Sequence, residues 1–341
     1  MCIRDSGSLN VAARYADEIT QGWGVRPNDQ ELALGVQHEI FPRVALDFQY
    51  TYHSFGNFVA SQNTARPPSA YNQFCVTAPS TASANSGFTL PNAGQQVCGF
   101  VDLNPAFSTV TPFFVVQTAS NFGKVSDVYT GYDLNLNARL PRGGVVSGGV
   151  SIGHEVTDVC DVSGDVSVTY ATVAGVTAST AGTLGPTYGA TSAAGTPSTL
   201  YCRVAPPFQA DAKGLVSYPL PWWGITASGT IQNRPGPQIL ATYTVTSALT
   251  QNLGRNLAAG SAVTGLIAPG TLYGDRFTQI DVRLGKNVRF GGRRLAVSMD
   301  LYNLLNSNAV LTQNNTVGPN WRTPTSILQG RLIKFGAQFD F

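Results

Sequence analysis

Apolar and polar residues alternate along several short segments of the chain, and this period of two constrains the fold more than any other feature. The last such segment, R-L-I-K-F-G-A-Q-F-D-F, runs to Phe341. One of its faces carries only apolar residues: Ile333, Phe335, Ala337, Phe339 and Phe341. Successive side chains of a β-strand point to opposite faces, so the pattern predicts a strand with one apolar and one mostly polar face.

The same alternation recurs at strand length along the rest of the chain. It predicts eight further strands, at Leu32 to Ile40, Val44 to His53, Gly131 to Leu140, Val145 to Val156, Phe208 to Tyr218, Ile225 to Ile231, Gln279 to Leu284 and Leu295 to Leu301. A tenth strand is predicted at about Leu9 to Ala16.

The connections between these strands are alternately short and long. Pro and Gly mark four tight turns, at Ile40 to Arg43, Pro141 to Gly144, Leu220 to Gly224 and Phe290 to Arg293. Long connections separate them, at about Phe55 to Lys124, Thr157 to Pro207, Asn233 to Asp275 and Asn306 to Gln329. Counting back from Phe341 places all four turns at one end of the strands. This order is typical of a transmembrane β-barrel with short periplasmic turns and long extracellular loops.

The composition favours the same fold class. Charged residues make up 12% of the chain, about half the share in ordinary soluble domains. The sequence has no apolar run long enough for a membrane-spanning helix, so a closed barrel is the remaining way to cross a membrane. We therefore expect an all-β, antiparallel transmembrane barrel portion of about ten strands. A soluble β-sandwich, which would turn the same apolar faces inward, is the alternative, and the long connections argue against it.

Four of the five cysteines fall in pairs within two of the long connections. Cys75 and Cys98 lie in the first, and Cys160 and Cys202 in the second. We predict two structural disulfides, which suits an oxidising compartment of the cell envelope. Four free thiols are the alternative, since spacing does not establish pairing. Cys2 belongs to residues 1–8, which we expect to be a non-native leader.

No signature of enzymatic chemistry or metal binding is present. The three histidines lack ligand spacing, and the P-loop, dinucleotide and hydrolase motifs are missing. We predict no catalytic, metal or cofactor-binding residues. A net charge of +2 does not favour nucleic-acid binding. Charged residues on the predicted polar faces are expected either to contact a plug or solute or to pair with one another across neighbouring strands. We favour cross-strand pairing for most of them. They are Asp47, Asp133, Arg139, Asp211, Lys213, Asp281, Arg283, Asp300 and Lys334.

Several longer motifs resemble a known family. They include Y-T-G-Y-D-L-N-L-N-A-R-L-P-R-G-G, R-P-G-P-Q-I-L-A-T-Y, A-P-G-T-L-Y-G-D-R-F and G-P-N-W-R-T-P-T-S-I-L-Q-G-R-L-I-K-F-G-A-Q-F-D-F. The chain resembles, from about Val11 onward, the C-terminal barrel portion of TonB-dependent outer-membrane receptors. It is most similar to the Oar-like group with carboxypeptidase-regulatory domains that is common in Acidobacteria.

This resemblance implies a barrel of about 22 strands with an N-terminal plug. Residues 9–341 would then be a partial barrel in the bacterial outer membrane, lacking the plug and N-terminal strands. The expected function is energised uptake of a siderophore, cobalamin, saccharide or peptide, with no enzymatic activity. A passive porin or an adhesin is the alternative.

The implied partners are outer-membrane lipid, the barrel assembly machinery, the unknown solute and, through the missing N-terminal region, the TonB complex. Phe335, Phe339 and Phe341 would form the assembly signal. Tyr71, Phe74 and Trp321 are possible ligand contacts, although Tyr and Trp residues also form girdles at membrane interfaces. Trp222 and Trp223, in a predicted periplasmic turn, fit such a girdle.

Overall fold

The computed structural model describes residues 13–80, 87–170, 200–221 and 223–341. Its β-strands, in chain order, are β1 (Ala13–Tyr15), β2 (Asn28–Phe41), β3 (Val44–Gly56), β4 (Val59–Asn63), β5 (Tyr71–Thr77), β6 (Gln96–Leu103), β7 (Phe114–Thr118), β8 (Ser126–Arg139), β9 (Val145–Asp158), β10 (Val168–Tyr170), β11 (Arg203–Val204), β12 (Gln209–Pro219), β13 (Ile225–Arg234), β14 (Thr242–Thr246), β15 (Ser261–Gly265), β16 (Phe277–Phe290), β17 (Arg293–Tyr302), β18 (Val310–Gln313), β19 (Pro324–Ile327) and β20 (Leu332–Asp340).

Helices are few and short in the same residues. Two are α-helical turns, α1 (Asp17–Thr20) and α2 (Cys160–Ser163). The others are single 3₁₀ turns at Pro68–Ala70, Pro105–Phe107, Ala119–Asn121, Pro141–Gly143, Ser247–Leu249 and Gln251–Leu253. No helix among the described residues has the length and hydropathy needed to span a membrane. The fold is all-β.

Nine long strands form one antiparallel sheet, which we call the large sheet. Their order is β2-β3-β8-β9-β12-β13-β16-β17-β20, and the two-residue strand β11 pairs with β9 as a tenth member. The order follows the chain, as expected for an up-and-down meander. Each of the nine strands predicted from Leu32 onward is present in this sheet, so the predicted all-β antiparallel architecture of about ten strands is confirmed.

The predicted strand at Leu9 to Ala16 is wrong as a member of this sheet. Its described part contains the three-residue strand β1, which pairs in parallel with β7 in a separate four-stranded sheet. Residues 9–12 lie outside the described residues. The cause is weak patterning: Ala13 and Tyr15 alternate with Arg14 over only three residues before α1 begins. A tenth place in the large sheet is taken by Arg203–Val204 instead.

The four tight turns lie at one end of the large sheet, as predicted. At the last of them, Phe290 pairs with Arg293 across Gly291 and Gly292, whose φ angles are 54° and 80°. Positive φ at both central residues is the turn geometry that matches strand twist, and glycine adopts it without steric cost. At the same end Asp340 of β20 pairs with Arg294. Phe341 therefore lies at the short-turn end.

The inter-strand register gives the large sheet two continuous faces. On the apolar face, Phe48 pairs with Leu134 and Leu301 pairs with Ile333. On the polar face, Asp47 pairs with Asn135 and Arg283 pairs with Asp300. A slip by one residue would exchange the faces, so the consistent register joins the alternating patterns of single strands into one surface.

The buried apolar residues of the described structure all lie outside the nine long strands. They belong to segment 13–27 and to the four long connections, residues 57–125, 159–208, 235–276 and 303–331. We call these parts together the cap. Meanwhile the apolar face is open along most of its strands, with Leu134 45% exposed. No second sheet covers it in the described residues, which contradicts the soluble sandwich.

The end of β17 shows how the fourth connection is closed. Asn303 is 2% exposed and has a φ of 49°, a left-handed conformation that asparagine tolerates. Its Nδ2 donates to the carbonyls of Ser307 and Gln329 at 2.8 Å, and its Oδ1 accepts from the Ser307 amide at 2.9 Å. One side chain therefore ties together both ends of residues 303–331.

We predict that Asn303→Ala in the full-length protein lowers the free energy of unfolding by about 2 to 4 kcal/mol, because buried donors and acceptors lose their partner. Asn303→Asp keeps the acceptor and the tolerance of positive φ, but it places a carboxylate oxygen, which cannot donate, against two buried carbonyls, so it should cost at least as much. Denaturant unfolding in detergent micelles measures both changes. An unchanged midpoint for Asn303→Ala would contradict the assignment.

Candidate functional site

The cap contains two hydrophobic cores built from different connections. The first joins residues of the first, third and fourth connections, among them Phe74, Phe100, Leu266 and Trp321. The second joins the first and second connections through residues such as Phe58, Val101 and Val162. Long connections that would be unstable alone thus bury apolar surface against one another, which is the main stabilising force for such a structure. The cap is therefore a folded part of the chain at the end of the large sheet opposite the four tight turns.

Two disulfides lie within the cap, in the pairs that the sequence predicts. Cys75 and Cys98 are register partners in the β5–β6 hairpin and are bonded to each other. Cys160 of α2 is bonded to Cys202 beside β11, across a sequence separation of 42. In the chain-entropy model each disulfide raises the free energy of the unfolded state by about 3 to 4 kcal/mol, because it lowers the conformational entropy of the unfolded chain. Cys2 lies outside the described residues.

The three aromatic residues proposed as ligand contacts differ in accessibility. Phe74 and Trp321 are each 1% exposed, and the Trp321 Nε1 donates to the Leu240 carbonyl at 2.8 Å. These two side chains are part of the first core, and a solute contact at either one stays a prediction. Burial also raises the pKa of the half-buried Tyr71 hydroxyl, against the opposing effect of Arg66. A ligand contact at Tyr71 stays a prediction.

An ion pair that was not predicted from the sequence joins the third connection to the first. Arg255 Nη1 lies 2.5 Å from Asp102 Oδ2, and both side chains are largely buried. Nη2 donates to Asn72 Oδ1 at 2.9 Å and to the Leu103 carbonyl at 3.1 Å. The Ala258 amide also donates to the same carboxylate, at 3.0 Å. This Arg255 clamp attaches residues 235–276 to the β5–β6 hairpin.

The polar face contains a depression of 710 Å³ near the middle of the large sheet. Its walls carry amide, hydroxyl and charged side chains, including Gln37, Asn137, Lys213 and Gln232, and glycines such as Gly149 leave space beside them. Such groups are hydrogen-bonding partners for water, a polar solute or a polar protein segment.

Some of the charged residues of the polar face pair across neighbouring strands. Arg283 lies 3.5 Å from Asp300 and Arg234 lies 3.0 Å from Asp211, whereas Lys213, 3.8 Å from Asp211, is on the same strand as its partner. Asp300 is also the register partner of Lys334. These contacts support cross-strand pairing over dedicated binding of a charged ligand. The described residues contain no cluster of His, Cys, Asp and Glu that could hold a metal ion.

Aromatic side chains gather at two places on the apolar face. Toward the short turns, the ring of Phe339 lies 6.0 Å from that of Phe290 and 6.2 Å from that of Phe341, which is 98% exposed. Phe335, on the same face of β20, is 75% exposed. Near the middle of β3 and β8, the ring centroid of Tyr132 lies 5.4 Å from that of Tyr50 and 6.1 Å from that of Phe208.

Trp223 is 80% exposed in its turn, while Trp222 lies outside the described residues. Transmembrane barrels carry an outward-facing apolar band flanked by aromatic residues at both interfaces.

The chain shows only limited similarity to known proteins. No family model and no curated protein matches the chain. Among solved structures, the outer membrane transporter YddB from Escherichia coli is 10% identical with a TM-score of 0.44, covering 97% of this chain and 35% of its own. The ferric-catecholate import receptor Fiu from E. coli K12 is 13% identical with a TM-score of 0.25, covering 91% and 42%. The chain therefore spans less than half the length of either structure, and neither likeness carries an argument about function.

We predict that Arg255→Ala in the full-length protein speeds amide hydrogen exchange in β5, β6 and residues 235–276. Removing one partner of a buried ion pair costs about 3 to 5 kcal/mol, because the other charge stays buried without compensation. Arg255→Lys keeps the charge but loses the fork of donors, so its effect should be intermediate. If exchange in the β5–β6 hairpin stays at the wild-type rate, the Arg255 clamp does not hold the cap together.

Proposed function

We propose that the large sheet is part of a closed β-barrel in the bacterial outer membrane, with its apolar face against lipid. The observation that carries this proposal is the distribution of burial. The described apolar core residues lie in the cap, whereas the long strands keep Leu, Val, Ile and Phe side chains open to the surroundings. Monomeric proteins in water rarely expose a contiguous apolar surface this extensive, but lipid covers it at no cost.

Closure of the barrel requires strands beyond those of the large sheet. The edge strands β2 and β20 each pair on one side only in the described structure. They also run in the same direction, because eight antiparallel steps separate them. Within a membrane unpaired backbone groups are too costly to persist, so an odd number of additional strands would close an antiparallel barrel. N-terminal strands of the parent protein are the proposed source.

The proposed activity of the parent protein is TonB-dependent, energised uptake of a large or scarce solute, without enzymatic chemistry. The family resemblance of the sequence motifs supports it, as does the polar face with its depression. In this account the cap meets the solute first, and the polar face encloses a plug. Energy arrives through the TonB complex, which contacts the N-terminal region. Siderophores, cobalamin, saccharides and peptides are the candidate solutes.

The apolar residues at the end of β20 have a second proposed role. Phe335, Phe339 and Phe341 share one face, and Phe339 and Phe341 lie at the short-turn end of the sheet. We assign them to recognition by the barrel assembly machinery, as the family resemblance implies. Their exposure leaves them accessible to such a partner.

Growth of a deletion strain tests the proposed activity. Deleting the gene of the full-length protein should reduce growth when one particular iron, cobalamin, saccharide or peptide source is limiting. Deleting TonB should cause the same defect, and combining the deletions should add nothing, because both remove one energised step. A plasmid copy of the gene is the matched control. A defect that is independent of TonB would indicate a passive porin, and loss of surface attachment without a growth defect would indicate an adhesin.

A further inference from the structure

A cationic side chain of the cap lies against an aromatic ring from another connection. The guanidinium carbon of Arg322, in the fourth connection, is 3.5 Å from the ring centroid of Phe88, in the first. The ring is 40% exposed. This stacking fixes the plane of the guanidinium while leaving an edge of the pair accessible, and arginine favours such contacts with aromatic faces.

One donor of this guanidinium is without an acceptor in the described part of the chain. Arg322 Nε is buried and has no hydrogen-bond partner there, and no ion pair to the side chain is present among those residues. A buried donor without an acceptor costs about 1 to 3 kcal/mol. By contrast, Arg255 in the same cap has acceptors on both terminal nitrogens. The difference indicates that Arg322 is arranged for an acceptor from outside the described chain.

The backbone holds Arg322 in an unfavourable conformation. Its φ of 63° is left-handed, which costs a residue other than glycine about 1 to 3 kcal/mol. The neighbours enforce it: the Arg322 amide donates to the Asn314 carbonyl at 2.7 Å, and the preceding Trp321 is locked in the first core. The backbone of Arg322 is therefore held at a set position on the cap, and the contact with Phe88 orients the guanidinium.

The electrostatic surroundings leave the charge of Arg322 available. Burial lowers the pKa of the guanidinium, and Asp275 partly opposes that effect. The side chain remains protonated at neutral pH, because the ordinary arginine pKa lies about five units higher. Asp275 is close enough to influence the charge without forming an ion pair with it.

We propose that Arg322, stacked on Phe88, is a binding point in the cap for an oxyanion group of the solute, a carboxylate or a phosphate. The planar fork of an arginine matches two oxygens of such a group with parallel hydrogen bonds. This inference rests on the proposed function, since it takes the cap as the surface that the solute meets. It narrows the candidate solutes to those that carry an anionic group.

Titration of the full-length protein in detergent micelles with citrate and with pyrophosphate tests the inference. Citrate carries carboxylates and pyrophosphate carries phosphates, so the probe with the higher affinity shows which of the two groups the site binds. Calorimetry should show saturable binding of at least one. Arg322→Gln should weaken it by about 10-fold or more, and Arg322→Lys by several-fold, because the charge remains but the fork is lost. Asp275→Asn should tighten binding by removing a nearby negative charge.

Arg203→Gln is the matched control. It removes one positive charge at the outer end of the sheet, where Arg203 is exposed and lies 3.8 Å from Asp158, and it should leave both titrations unchanged. Protection of the cap amides from hydrogen exchange verifies that each variant is folded. Equal binding by wild type and Arg322→Gln, or no binding of either anion at millimolar concentration, would overturn the inference. Either result would leave the growth test of transport unaffected, so the two proposals fail separately.

Discussion

The hydrogen-bonded register of nine antiparallel strands is the constraint on which the rest of the structure depends. Each strand alone has one apolar and one polar face, and these faces form a continuous surface only when neighbouring strands align. Because Phe48 meets Leu134 while Asp47 meets Asn135, the faces of single strands add up to two surfaces of opposite character. Between paired strands the backbone groups satisfy one another, and a barrel in a medium that offers no hydrogen bonds would need this for every strand.

This arrangement moves the hydrophobic core away from the sheet. A water-soluble protein buries its apolar side chains between packed layers, whereas here the apolar face stays open and the packed interior lies in the cap. The cap is held by several kinds of interaction. Two disulfides act on the unfolded chain, the two apolar cores join different connections, and the Arg255 clamp fixes the third connection to the β5–β6 hairpin.

The sequence was sufficient for the large sheet because alternation is a local property. Starts at Val44, Val145 and Ile225 were predicted to the residue, since each follows a tight turn marked by Pro or Gly. The interior of the cap was not predictable in this way. Its contacts join residues far apart in the chain, such as Arg255 with Asp102, and local composition does not specify such pairs. For the same reason Phe74 and Trp321 resembled exposed loop aromatics, although both are core residues.

The central claim is that the apolar face meets lipid and the polar face meets water. Nitroxide labels placed singly at Leu134 and Asn135, and at Val297 and Ala296, in the full-length protein reconstituted into bilayers test it most directly. These neighbours lie on opposite faces of β8 and β17. Collisional relaxation should show high access to oxygen at positions 134 and 297, and low oxygen but higher nickel-chelate access at positions 135 and 296. Equal access within each pair, or nickel-chelate access at positions 134 and 297, would contradict the account.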